Sequence, residues 1–130
     1  MIGLVLVAHA RLAAELLTAA ELIVGPILQA EAVGIGPGDE GGIILAGITE
    51  ALKRLGGNGA LIMTDMFGGT PSNLSLSFLE NNRIEVLSGV NLPMVMEFAL
   101  KREFLGVAEL AARLRECGRE SIAVAGDFLK

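Results

Sequence analysis

Continuous apolar runs alternate with segments of helical period along this chain, and that alternation leaves few folds open. Ile2 to Ala8 carries no polar side chain, as expected of a strand buried on both faces of a parallel sheet. Arg11 to Val24 follows with Leu12, Leu16, Leu17, Ala20 and Ile23 on one helical face and Gly25-Pro26 as its stop. Leu28 to Ile35 reads as a weaker strand, Gly36-Pro37-Gly38-Asp39-Glu40 as a turn, and Ile43 to Leu55 as a helix closed by Gly56-Gly57. Gly59 to Thr64 gives the third strand. Pro71 to Glu80 gives the third helix, with Pro71 in its first turn, where a missing amide hydrogen costs nothing. Ile84 to Leu87 is a short fourth strand, Asn91-Leu92-Pro93 opens a helix running to Lys101, and Ala108 to Glu116 forms another. Glu120 to Ala125 is expected to form a terminal strand.

Strands and helices in strict alternation make an α/β protein, a three-layer α/β/α domain on a mostly parallel, doubly wound sheet. The chain of 130 residues fits a single domain, 1–130, with no linker, repeat or low-complexity tract. In the common order 2-1-3-4, strands one and three become neighbours, and ligands bind where their carboxyl ends part. His9 follows the first strand and Asp65 the third, so that order brings the two side chains together.

Composition narrows the chemistry. Hydrophobic residues make up 52%, without Trp or Tyr, so the core is aliphatic and needs no staples. The net charge of −5 and the lack of a Lys/Arg cluster with interleaved aromatics exclude a nucleic-acid partner. Cys117 is alone, which rules out an internal disulfide or a cysteine-rich metal site and fits a reducing compartment. The first apolar run is far too short to span a bilayer and has no basic leader, so no membrane insertion is expected, and the location is expected to be cytoplasmic.

His9 is the only histidine. An imidazole nitrogen is a good nucleophile near neutral pH and takes a phosphoryl group reversibly. It then needs a carboxylate to hold its other nitrogen as a donor, and Asp65 is the candidate. It also needs donors for the phosphoryl oxygens. A glycine-rich turn running into a helix start supplies them, here Gly68, Gly69, Thr70, Ser72 and Asn73. Each feature has a plainer reading: a satisfied polar residue for His9, a turn cap for Asp65, a tight connection for Gly68-Gly69-Thr70-Pro71, a solvated Arg11. Their convergence on one crevice favours the functional reading.

The segment Asp65-Met66-Phe67-Gly68-Gly69-Thr70-Pro71-Ser72-Asn73 resembles the signature of the enzyme IIA component of mannose-family phosphotransferase systems. Ser88-Gly89-Val90-Asn91-Leu92-Pro93-Met94 is similar to that family's second motif. Pro37-Gly38-Asp39 and the stretch from Glu109 through Gly118-Arg119-Glu120 extend the resemblance over essentially the whole chain. The resemblance implies that His9 takes phosphate from the phosphohistidine of HPr and gives it to a histidine of enzyme IIB, expected here as a separate polypeptide. It implies that Asp65 orients the ring and that Gly68 to Asn73 cradles the phosphoryl oxygens, with no metal and no cofactor. It also implies a homodimer that exchanges a C-terminal antiparallel strand, matching Glu120 to Ala125. Where the family commonly has Thr or Ser before the histidine and Gly after it, this chain has Ala8 and Ala10. A β-carbon at residue 10 restricts the backbone beside the ring.

A receiver domain phosphorylated on Asp65 needs a carboxylate pair after the first strand to hold Mg²⁺, and Ala8-His9-Ala10-Arg11 offers none. One His and one Asp are too few ligands for a metallohydrolase. Three other readings stay open: a regulatory module controlled by phosphorylated His9, the phosphocarrier subunit of a dihydroxyacetone kinase, and an inert homodimer.

Overall fold

The N-terminal apolar run becomes β1 (Gly3–His9), buried from Gly3 through Ala8 and exposed only at His9. The computed structural model describes residues 1–66 and 69–129, with the main chain alone at Pro71. In it β1 joins β2 (Ala30–Ile35), β3 (Ala60–Thr64) and β4 (Ile84–Ser88) in a parallel sheet of order β2-β1-β3-β4, the order expected. Helices α1 (Leu12–Val24), α2 (Gly41–Arg54), α3 (Thr70–Ser75), α4 (Leu92–Lys101) and α5 (Val107–Glu120) connect and cover the strands.

Alternation along β1 divides the core in two. Leu4, Leu6 and Ala8 join Leu61 and Met63 of β3 beneath α1, α4 and α5, packed on Ala13, Ala20, Phe98 and Leu110. Val5 and Val7 join Ile62 on the opposite face, against Ile44, Ile48 and Ala51 of α2, with Leu74 of α3 at the margin. Both faces are covered, which is why β1 shows no polar alternation. Each fully buried Leu, Ile or Val contributes about 1.5–3 kcal/mol.

Register positions the site. Thr64, the last residue of β3, pairs with Val7 on one side and Ser88 on the other, while His9 pairs with Ile35. Asp65 therefore stands one step past Thr64 and His9 two steps past Val7, at the carboxyl ends of adjacent strands.

One expectation needs correction, and another is not met within the single chain. The third helix does not reach Glu80: α3 ends at Ser75 and tightens into a 3₁₀ turn over Leu76–Phe78. That tightening lets Glu80 bridge to Ile84, with N···O distances of 3.1 and 2.8 Å. The terminal strand is also absent among the described residues. α5 runs through Glu120, four residues past its expected end, because both the amide and the hydroxyl of Ser121 bond to the Cys117 carbonyl, at 3.0 and 2.6 Å. Residues 122–124 then pair with no strand, and Ala125–Leu129 forms a 3₁₀ turn. Among the described residues, no helix is long and apolar enough to cross a membrane.

Candidate functional site

His9 emerges where the sheet ends, its side chain 51% exposed against 13% for Asp65. Asp65 Oδ2 accepts two hydrogen bonds from the one residue, from the His9 ring Nδ1 at 2.8 Å and from the His9 main-chain amide at 3.0 Å. An ionised carboxylate only accepts, so Nδ1 carries the hydrogen and Nε2 keeps its lone pair on the half-exposed ring. Burial pushes the Asp65 carboxyl up, but the His9 amide, the ring hydrogen bond and the ring's attraction whenever it is protonated together outweigh it. They hold the carboxyl below its ordinary 3.8. Asp65 Oδ1 is buried and has no hydrogen-bond partner among the described residues.

The two-residue overhang of β1 depends on a close backbone approach. Ala10 adopts φ +53°, left-handed despite its β-carbon, and its amide donates to Ile35 at 2.8 Å. Its carbonyl lies where a β-carbon on Gly34 would sit 2.6 Å away, so only glycine fits at Gly34. The backbone beside the ring therefore takes a bend that glycine adopts without strain, and the ring reaches Asp65.

The glycine-rich segment divides its residues. Gly69 caps α3 in extended conformation without a side-chain bond, and Asn73 makes the first intrahelical bond, to Gly69 at 3.0 Å. The amides of Thr70 and Ser72 precede that bond and have no partner within the helix. The Thr70 and Asn73 side chains are exposed. Gly68 lies outside the described residues. Ser72 departs from expectation: it is fully buried, and its Oγ stands 3.0 Å from Ser88 Oγ, turned to the sheet and away from solvent. Arg11 is not drawn to the site either; its side chain is 89% exposed and its Nη2 lies 4.0 Å from Glu15 Oε1.

Thr64 and Ser88 were not singled out as site residues from the sequence. Thr64 Oγ1 donates to Ser88 Oγ at 2.9 Å, and the Thr64 carbonyl accepts the amides of Gly89 and Val90 at 3.0 Å each. Their signal was positional: Thr64 precedes Asp65, and Ser88 opens the second motif. Later in that motif Asn91 accepts from the Met94 amide at 3.2 Å, capping α4, and donates to the Gly118 carbonyl of α5 at 3.1 Å. Gly118 also makes room for Met94; a β-carbon there would lie 2.5 Å from Met94 Sδ.

The family profile described as PTS system fructose IIA component (EIIA-man) matches residues 3–115. A PTS system fructose-specific EIIA component of Bacillus subtilis (strain 168) is 37% identical over 71 residues, covering 54% of this chain and 49% of that protein. The match thus spans about half the length of that relative. A PTS system sorbose-specific EIIA component of Lacticaseibacillus casei is 29% identical, covering 90% of this chain and 86% of its own. The crystal structure of phosphotransferase system component EIIA from Streptococcus agalactiae superposes with a TM-score of 0.89 at 27% identity, covering 98% of this chain and 99% of that one.

Proposed function

Because this chain belongs to the mannose-type enzyme IIA family of sugar phosphotransferase systems, we propose that it is a phosphocarrier working through His9. His9 accepts a phosphoryl group from the phosphohistidine of HPr and passes it to a histidine of an enzyme IIB during sugar uptake. The observation that carries this reading is the 2.8 Å bond between His9 Nδ1 and Asp65 Oδ2 on a half-exposed ring. A ring held this way presents the Nε2 lone pair to phosphorus while the donor's P–N bond breaks. Positive charge gathers on the His9 ring as the new bond forms, and the Asp65 carboxylate stabilises it. The amides of Gly69, Thr70 and Ser72, with the exposed Thr70 and Asn73 side chains, receive the phosphoryl oxygens. The group rides on the histidine itself, so the reading requires no cofactor, and both exchange partners place the carrier in the cytoplasm.

The test is incubation with phosphoenolpyruvate, enzyme I and HPr, followed by mass determination. The expected result is one acid-labile phosphate on the wild type and none on His9→Ala. A wild type that takes none overturns the reading.

The reading includes a homodimer. Ile122, Val124, Phe128 and Leu129 are 77%, 68%, 76% and 90% exposed, an apolar content that a free tail has no reason to carry and that a second copy's sheet edge would cover. Light scattering on the full chain should give twice the protomer mass. A chain ended after Glu120 should give the mass of one.

A further inference from the structure

We infer that Ser88 is a positioning residue for phosphoryl transfer, a half-buried hub between two buried hydroxyls that fixes the start of α3 to the ends of β3 and β4. The inference rests on the carrier role proposed for His9. Ser88 Oγ accepts from Thr64 Oγ1 at 2.9 Å and shares a hydrogen with Ser72 Oγ at 3.0 Å. Thr64 and Ser72 have no solvent exposure, so neither hydroxyl has water to fall back on. The cluster joins three pieces of chain: the residue before Asp65, the end of the edge strand, and the first turn of α3.

These pieces do not hold equally well. Thr64 is fixed by ladder pairing to Val7 on one side and Ser88 on the other, and its carbonyl takes two further amides. α3 has six residues, no side-chain cap, and a 3₁₀ turn directly behind it. Loss of the hub oxygen leaves two buried hydroxyls without their common partner, a state that structures avoid by moving. The short helix is the piece that moves. This cluster and the packing of Leu74 help to place its first amides, those of Thr70 and Ser72, relative to His9 Nε2. Ser88 thus acts on the reaction through α3 and touches no reacting atom.

Ser88→Ala should lower kcat for transfer from phospho-HPr by roughly tenfold to a hundredfold, the usual penalty for misplacing groups by about an ångström. KM for phospho-HPr should move little by comparison, because the change is confined to one oxygen turned toward Thr64 and Ser72. Ser88→Thr keeps the hydroxyl, and its methyl has room beside a groove of about 280 Å³ lined by Leu87, Gly89 and Met94. It should restore most of the rate, whereas its isostere Ser88→Val should not. Equal rates in Ser88→Thr and Ser88→Val, or a wild-type rate in Ser88→Ala, overturn the inference. If Ser88→Ala melts below the assay temperature, Thr64→Val decides instead: it keeps shape and strand preference, and a wild-type rate in it is equally fatal. A wild-type chain that takes no phosphate sinks the carrier reading and this inference together. A wild type that is phosphorylated no faster than Ser88→Ala sinks the inference alone.

Discussion

One oxygen of Asp65 holds both the ring and the main-chain amide of His9, at 2.8 and 3.0 Å. The carboxylate therefore fixes where the ring begins as well as which way it faces. Asp65→Ala removes both anchors and leaves the nucleophile in place, so transfer should slow by about a hundredfold without being abolished. Stopped-flow transfer from phospho-HPr measures the rate. Imidazole ¹⁵N shifts report whether the hydrogen has left Nδ1. A fully inactive Asp65→Ala with an unchanged ring tautomer would contradict this account.

The same pair sets a pH dependence. In the folded chain the Asp65 carboxyl sits below 3.8, its ordinary value, as the His9 bonds outweigh burial. A depressed carboxyl contributes stability above its unfolded value and loses it as pH falls through the folded one. From about pH 5 downward, the stability difference between wild type and Asp65→Asn should shrink, most steeply below about pH 3.8, as the Asp65 carboxyl takes up a proton. Urea unfolding across that range checks it. A difference that grows in acid would reverse the sign and refute the assignment.

The His9–Asp65 pairing was legible in the sequence because it follows from two local facts: apolar runs that must be buried, and polar residues that end them. Parallel packing then puts both ends at one pole. The direction of the Ser72 hydroxyl was not legible, for a different reason. Its position in the first turn of a helix is legible, but its direction depends on how α3 rotates against β4, and nothing near Ser72 encodes that. The C-terminal segment shows the same limit. Ser121-Ile122-Ala123-Val124 has strand composition, yet a strand exists only where an edge receives it, and within one chain Ser121 prefers the Cys117 carbonyl. Gln29, at φ +55°, delays β2 to Ala30, a bend that its residue type does not announce.

Ala10 and Gly34 form a matched pair, a left-handed alanine whose carbonyl occupies the space of a missing β-carbon. Ala10→Gly relieves the left-handed strain and adds unfolded-state freedom, for a net gain of up to about 1 kcal/mol with transfer unimpaired. Gly34→Ala forces two backbones apart and should cost about 1–3 kcal/mol. It should also slow transfer, because the displaced residue is the neighbour of His9. Thermal unfolding and the transfer assay, run on both variants, test the pair. A harmless Gly34→Ala would mean that the approach does not set the ring.

Arg102 lies at the other pole of the sheet and separates stability from function. It is 7% exposed, its Nη1 donates to the carbonyls of Leu28 at 2.6 Å and Ile2 at 3.4 Å, and its guanidinium stands 5.2 Å from the centroid of the Phe98 ring. It forms no ion pair among the described residues. Burial lowers its pKa, with Glu103 opposing. The side chain thus ties the end of α4 to the chain just before β1 and β2. Arg102→Met keeps a flexible apolar stem against Phe98 but strands those carbonyls, so it should lose about 1–3 kcal/mol of stability. Phosphorylation of His9 should proceed at the wild-type rate in the folded variant, since the strands between the two poles are paired along their length. Urea unfolding and the phosphotransfer assay give the two numbers. A stable Arg102→Met would show that the carbonyls find other donors, and a slow one would show that the two ends of the sheet are coupled.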